Sequence, residues 1–158
     1  MQVNQSPDTG FTLLHFNDKV EMITKSQPVT SVKPFEPFAP NGVTALYDAI
    51  GYTIDEMGRY YAAQPPNRQP AKVVFTVFTD GHENASVDYA LADIERRIAH
   101  QQDKYGWSIN FVGGDLATVQ QFARFKGVNA TAYDAGTRGA TKNIYEALSV
   151  QIQNSLQN

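Results

Sequence analysis

The chain of 158 residues has no cysteine. That excludes disulfides, thiolate metal centres and cysteine nucleophiles. It also has no block of like charge. Its 13 basic and 16 acidic residues are scattered and leave a net charge of −3, so no basic stripe for nucleic acid or polybasic surface for a membrane is present. No apolar run approaches the roughly 20 residues of a membrane span, and the first residues do not form a secretory signal. The expectation is a cytoplasmic protein with no nucleic-acid or membrane partner. A phosphate-cradling Gly-x-x-x-x-Gly-Lys and a Gly-x-Ser-x-Gly elbow are absent as well. What is there is ordinary for a globular domain, with 42% hydrophobic and 18% charged residues. One domain spanning residues 1–158 is expected, long enough to bury a core.

The organising stretch is Lys72-Val-Val-Phe-Thr-Val-Phe-Thr79, followed at once by Asp80-Gly-His-Glu-Asn84. It is apolar on both faces and rich in β-branched and aromatic side chains, the pattern of a buried parallel strand. Upstream, residues 11–16 read as a strand and 20–23 as its hairpin partner, with Asn17, Asp18 and Lys19 as the turn. His15 inside that strand reads as a packed or solvent-facing side chain, not a ligand. Four prolines between 28 and 40 mark an extended surface loop. Residues 44–61 are helical, because Leu46, Ile50, Ile54, Met57 and Tyr61 form one apolar stripe. Downstream come a helix over 87–103 carrying Leu91, Ile94 and Ile98, and a strand over 107–112 closed by Gly113-Gly114-Asp115. A short helix over 116–125 buries Leu116, Val119 and Phe122, and a weak edge strand follows at 130–133. The last helix, 141–156, carries Ile144, Leu148 and Ile152. Alternating strands and helices predict an α/β fold with right-handed crossovers. The run 72–79 is expected in the middle of a mostly parallel sheet, with 107–112 beside it, 20–23 antiparallel at one edge, and helices on both faces.

Two loops carry the candidate chemistry. In Asn41-Gly-Val-Thr-Ala-Leu-Tyr-Asp-Ala-Ile50, Thr44 stands at a helix start behind a glycine and reads equally as its N-cap. In Thr79-Asp-Gly-His-Glu-Asn84, Asp80-Gly81 reads equally as a turn, with Asn84 or Ser86 capping the next helix. Together the two loops resemble the von Willebrand factor A (VWA) domain family in its small bacterial and phage-like versions, and Trp107-Ser-Ile-Asn-Phe-Val-Gly-Gly114 is similar to the family's following strand. The resemblance runs from about Phe11 to the C-terminus. It implies a three-layer Rossmann-like fold and a metal-ion-dependent adhesion site. There a threonine, an aspartate and an Asp-x-Ser-x-Ser loop surround one Mg²⁺, and a partner's acidic residue completes the shell. By resemblance Thr44 is the threonine and Asp80 the aspartate.

The Asp-x-Ser-x-Ser loop and the first strand that carries it are missing here. Asp8-Thr-Gly-Phe-Thr12 is the nearest imitation, but polar residues and Pro7 precede it. Residues 11–16 match the family's second strand, so the chain is expected to begin near the end of the missing first helix. The absent strand would lie between 11–16 and 72–79. Either those two strands pair directly, or a second chain donates a strand, or the sequence is a piece of a longer protein, which is the favoured expectation. Two ligands with one charge hold Mg²⁺ weakly or not at all against its hydration shell. The leading expectation is thus a non-enzymatic protein-binding module with a partial metal site and no catalytic residue. The alternatives are a metal-dependent hydrolase or phosphoryl-transfer enzyme around Asp80, His82 and Glu83, and a purely structural assembly subunit.

Overall fold

The computed structural model describes residues 8–33 and 42–133, with Glu146, Ser149, Val150, Gln153 and Asn154. A hairpin comes first. The Asn17 side chain accepts the Lys19 N–H at 3.0 Å, closing the turn between β1 (Gly10–Phe16) and β2 (Val20–Pro28). The strands pair antiparallel, Phe16 opposite Val20 and Gly10 opposite Pro28. β2 continues past its expected end at 23 because Ser26 adopts a left-handed φ of 48° and gives its N–H to the Thr12 hydroxyl at 2.9 Å. The strand bends there instead of stopping.

Helix α1 (Leu46–Ala62) buries Leu46, Ile50, Ile54 and Met57 of the stripe expected of it, while Tyr61, the fifth, is half-buried. Its two flanks meet different partners. On one, Glu56 pairs with Lys25 of β2, whose ammonium also lies over the Tyr60 ring. On the other, Gly51 meets the Tyr89 ring and Asp55 takes a two-point bond from Arg97. The hairpin and the next helix therefore stand on opposite sides of α1. Then follow β3 (Val74–Thr79), α2 (Leu91–Tyr105), β4 (Ser108–Gly113), α3 (Leu116–Ala123) and β5 (Val128–Ala132). Gly106, at φ 65°, ends α2 in the left-handed conformation that glycine adopts at little cost.

β3, β4 and β5 form a three-stranded parallel sheet in that order. This corrects three expectations. Among the described residues the strand in 72–79 lies at an edge of its sheet and β4 is central. The hairpin forms a separate two-stranded sheet and does not extend the parallel one. β1 pairs with β2 and not with β3, so direct pairing of 11–16 with 72–79 does not occur. The physical reason is that an apolar run reports burial on two faces and says nothing about neighbours along the sheet. β4 is the strand with both: from Ile109 to Gly113 every residue is buried.

The strand register puts Phe75, Val77, Ile109, Phe111, Val128 and Ala130 on one face. The inward residues of α1, α2 and α3 pack on that face in one core, with the Phe111 and Phe122 rings stacked at 4.4 Å and Trp107 edge-on to Phe75 and Tyr61. All three described helices thus cover the same side, where helices on both faces were expected. The expected helix over 141–156 falls mostly outside the described residues. The opposite face carries a polar row: Asn129 donates to Asn110 at 3.1 Å, and Asn110 donates to the Thr76 hydroxyl at 3.3 Å.

Candidate functional site

The loops at the C-terminal ends of the strands meet at one edge. Thr44 and Asn84 bond twice: the Thr44 N–H donates to the Asn84 side chain at 2.8 Å, and the Asn84 N–H donates to the Thr44 carbonyl at 3.0 Å. The Thr44 hydroxyl lies against Gly81, where a Cβ would come within 2.8 Å of it. Next along the chain, the Ala45 N–H donates to the Asn17 carbonyl just past β1. Gly114 completes the edge beside β3, its N–H bonded to the Thr79 carbonyl, and a Cβ there would crowd the Asp80 backbone and the Tyr133 ring. The structure therefore brings Thr44 against the residue that follows Asp80.

The acidic residues around this edge hold helices in place. Ala45 occupies the N-cap of α1 and has no side-chain oxygen to offer, so the first N–H groups of the helix need other partners. Glu83 supplies one, accepting the Tyr47 N–H at 3.0 Å. Ser86 supplies another, accepting the Asp48 N–H at 3.0 Å while giving its own hydroxyl proton to Glu83 at 2.8 Å. Glu83 also accepts the N–H groups of Ala85 and Ser86. In return Asp48 accepts the N–H groups of Val87, Asp88 and Tyr89, all within 3.0 Å. A carboxylate at a helix N-terminus is further favoured by the helix dipole.

Two capping readings change. Thr44 is not the N-cap of α1, and Asn84 and Ser86 bind the start of α1 instead of capping α2. That helix has its own arrangement, with Asp93 accepting the Ala90 N–H at 3.0 Å. It starts at Leu91, beyond the expected 87, because Asp48 has already taken the N–H groups of 87–89. Nothing local to 80–90 could reveal this, since the partners lie about forty positions upstream. Asp48 was legible only as an acid in a helix's first turn.

Asp115 is likewise occupied. It caps α3, accepting the Thr118 hydroxyl at 2.6 Å and N–H at 3.0 Å. The hydroxyl bond first, the N–H bond next and the nearby His82 last hold its carboxyl below the usual range against a small opposing effect of burial. Asp80 differs from all of these. It is exposed, and among the described residues its carboxylate makes no hydrogen bond or ion pair. Its charge is felt by Tyr133, whose phenol is pushed up by burial first and by Asp80 second. Two apolar side chains in the segments after β3 and β4 are exposed, Val87 at 87% and Leu116 at 59%. Leu116 was expected to face the core. It is the first residue of α3, and Val119 and Phe122 fill the inward positions.

A resident Mg²⁺ needs several oxygen donors in near-octahedral array. Thr44 and Asp80 supply a hydroxyl and one carboxylate, and the bonds above hold Glu83, Asp48 and Asp115 elsewhere. Among the described residues no group of three or more His, Asp or Glu is placed to hold a metal ion. The donor set does not fit a tightly held Mg²⁺. His82 and Glu83 do not join Asp80 in a cluster either, because Glu83 faces α1.

In class the molecule is an α/β protein with a three-stranded parallel sheet, a separate hairpin and an exposed acid at the strand C-termini. Compared with family models, with curated proteins and with solved structures, the chain matches none of them.

Proposed function

We propose that the chain is a non-enzymatic, VWA-like protein-recognition module, a variant of that three-layer Rossmann-like fold, which meets its partner through the C-terminal edge of the β3–β5 sheet. One observation carries this reading. Glu83, Asp48 and Asp115 are occupied by backbone N–H groups and hydroxyls, while the exposed Asp80 carboxylate, next to the Gly81 that lies against Thr44, makes no hydrogen bond or ion pair among the described residues. Exposed apolar side chains with polar and charged groups at their rim are the usual make-up of a recognition patch. An acid–base or metal-dependent hydrolase needs a second positioned group, and the loops that could supply one use their acids to fasten helices. Mg²⁺ at Thr44 and Asp80 is at most a weak contributor, completed by donors of the partner, possessing no catalytic role.

The test is photo-crosslinking in the native cell, with a reactive side chain placed at 87, at 116 and, as a control, at 103 on the exposed end of α2. The proposal expects one discrete protein adduct from 87 and 116, lost on Asp80→Ala, and none from 103. A purely structural subunit would keep its adduct after Asp80→Ala. Metal-dependent turnover abolished by Asp80→Ala would make the protein an enzyme and end the proposal.

A further inference from the structure

Between α1 and α2 lies an open groove of about 520 Å³, a volume within the range of small-molecule sites. It stands well along α1 from the loops that gather at the Asp80 edge, since Gly58 in its wall is roughly 18 Å beyond Leu46 on the helix axis. Three guanidinium groups line the groove, Arg59 from α1 with Arg96 and Arg97 from α2, against one carboxylate, Asp55. That carboxylate is taken up by Arg97 and the Tyr89 hydroxyl. Arg97 is thereby fixed in place, yet both protons of its other terminal nitrogen stay uncommitted. Arg59 and Arg96 each give a single bond, to Glu56 and Asp93 on their own helices, and both side chains are 73% exposed. Pairs so exposed are held too weakly to keep a guanidinium from a better acceptor.

Two further features of the groove have no explanation in the packing of the fold. Gln101 lines it and is only 8% exposed, but its carboxamide makes no hydrogen bond among the described residues. A buried amide without a partner is costly. Facing it, Gly58 interrupts the middle of α1 with a residue that weakens a helix relative to alanine. A Cβ there would meet only the Gln101 Nε2, at an ordinary 3.5 Å. Packing therefore does not demand a glycine at 58, as the Tyr89 ring does at Gly51. What the missing side chain provides is an uncovered Gln101 amide facing the groove.

We infer that this groove binds a phosphate monoester of a small hydroxylated molecule, with Arg59, Arg96 and Arg97 on the phosphate and the Gln101 carboxamide on a hydroxyl of the ester's body. A phosphate monoester carries close to two negative charges near neutral pH and three strong acceptor oxygens. That matches three guanidinium forks, whereas a carboxylate, with one charge and two oxygens, leaves an arginine idle. A carboxamide both donates and accepts, and a hydroxyl answers either role. Because Arg59 stands on α1 and the other two arginines on α2, the bound ester braces the two helices against each other. The groove and the Asp80 edge are separate surfaces, so either reading can fail without the other.

The experiment titrates the full 158-residue chain with glycerol 3-phosphate, inorganic phosphate or glycerol, at constant ionic strength made up with chloride, and follows amide shifts by two-dimensional NMR. Glycerol 3-phosphate should saturate with a dissociation constant below about 1 mM, moving the amides of Gly58, Arg59, Arg96, Arg97 and Gln101. Inorganic phosphate should move the same set at severalfold weaker affinity, and glycerol should move none of them. Arg59→Gln and Arg96→Gln alter exposed side chains and should each weaken both phosphates about tenfold. Arg124→Gln, at the end of α3, should change neither. Gly58→Ala should raise the melting temperature and still weaken glycerol 3-phosphate, a combination that damage to the fold cannot produce. Four results would overturn the inference: no shift in the groove at about 10 mM phosphate, shifts that chloride reproduces, equal affinity for the ester and for inorganic phosphate, or a loss on Arg124→Gln as large as on Arg59→Gln.

Discussion

At the scale of single residues, Glu83 and Asp80 lie three positions apart and have opposite standing. Glu83 accepts four hydrogen bonds, one of them from the start of α1. Removing it leaves partly buried donors without partners, so Glu83→Ala should cost about 2 kcal/mol of stability in urea denaturation. Asp80→Asn should change stability by less than about 0.5 kcal/mol, as at other exposed sites that hold no contact. If Asp80→Asn proves the more damaging, Asp80 is a structural residue. Gly51 offers a second check. A Cβ there would fall 2.4 Å from the Tyr89 ring, so Gly51→Ala should cost about 1–3 kcal/mol by overpacking, although alanine favours helix elsewhere. The sequence reveals Thr44 and Asp80 as residues of interest because each follows a recognisable local pattern. It hides the work of Asp48, Glu83 and Ser86, since a side chain that caps a helix forty positions away leaves no local trace.

Among elements, the clamp between α1 and α2 is where pH should register. Burial raises the Asp55 carboxyl, but hydrogen bonds from Arg97 and Tyr89 and the Arg97 charge outweigh it and hold it below its ordinary 3.8. A carboxyl depressed in the folded state contributes stability that is fully present above its unfolded value. That contribution disappears as pH falls through the lower folded value. Melting temperature should therefore be flat in this respect down to about pH 4 and fall below it. Asp55→Asn should lower it at neutral pH and shallow the acid decline; an unaltered acid limb would show that the clamp carries no pH dependence. The helices themselves were readable from the apolar stripe of α1 and from Ile94 and Ile98 of α2, since the helical period places those residues on one face. Strand order was not. β3 and β4 are both apolar runs ending in an acid or glycine, and only pairing separates the edge strand from the central one.

The whole molecule is an α/β scaffold in which Asp48, Glu83 and Asp115 fasten helices while the exposed Asp80 carboxylate holds no bond among the described residues. The fold class was legible because strands alternate with helices, while the detached hairpin was not, since local pattern cannot say which sheet a hairpin joins. The most direct measurement is thermal denaturation of the full chain in 10 mM Mg²⁺ against chelator, repeated with Asp80→Ala. A site built from one hydroxyl and one carboxylate, with a dissociation constant of roughly 10 mM or weaker, stabilises by well under about 1 kcal/mol at that concentration. For a domain of this size the account predicts a rise of less than about 2 °C, abolished by Asp80→Ala. A rise above about 6 °C, corresponding to a submillimolar site, would contradict it by requiring donors beyond Thr44 and Asp80.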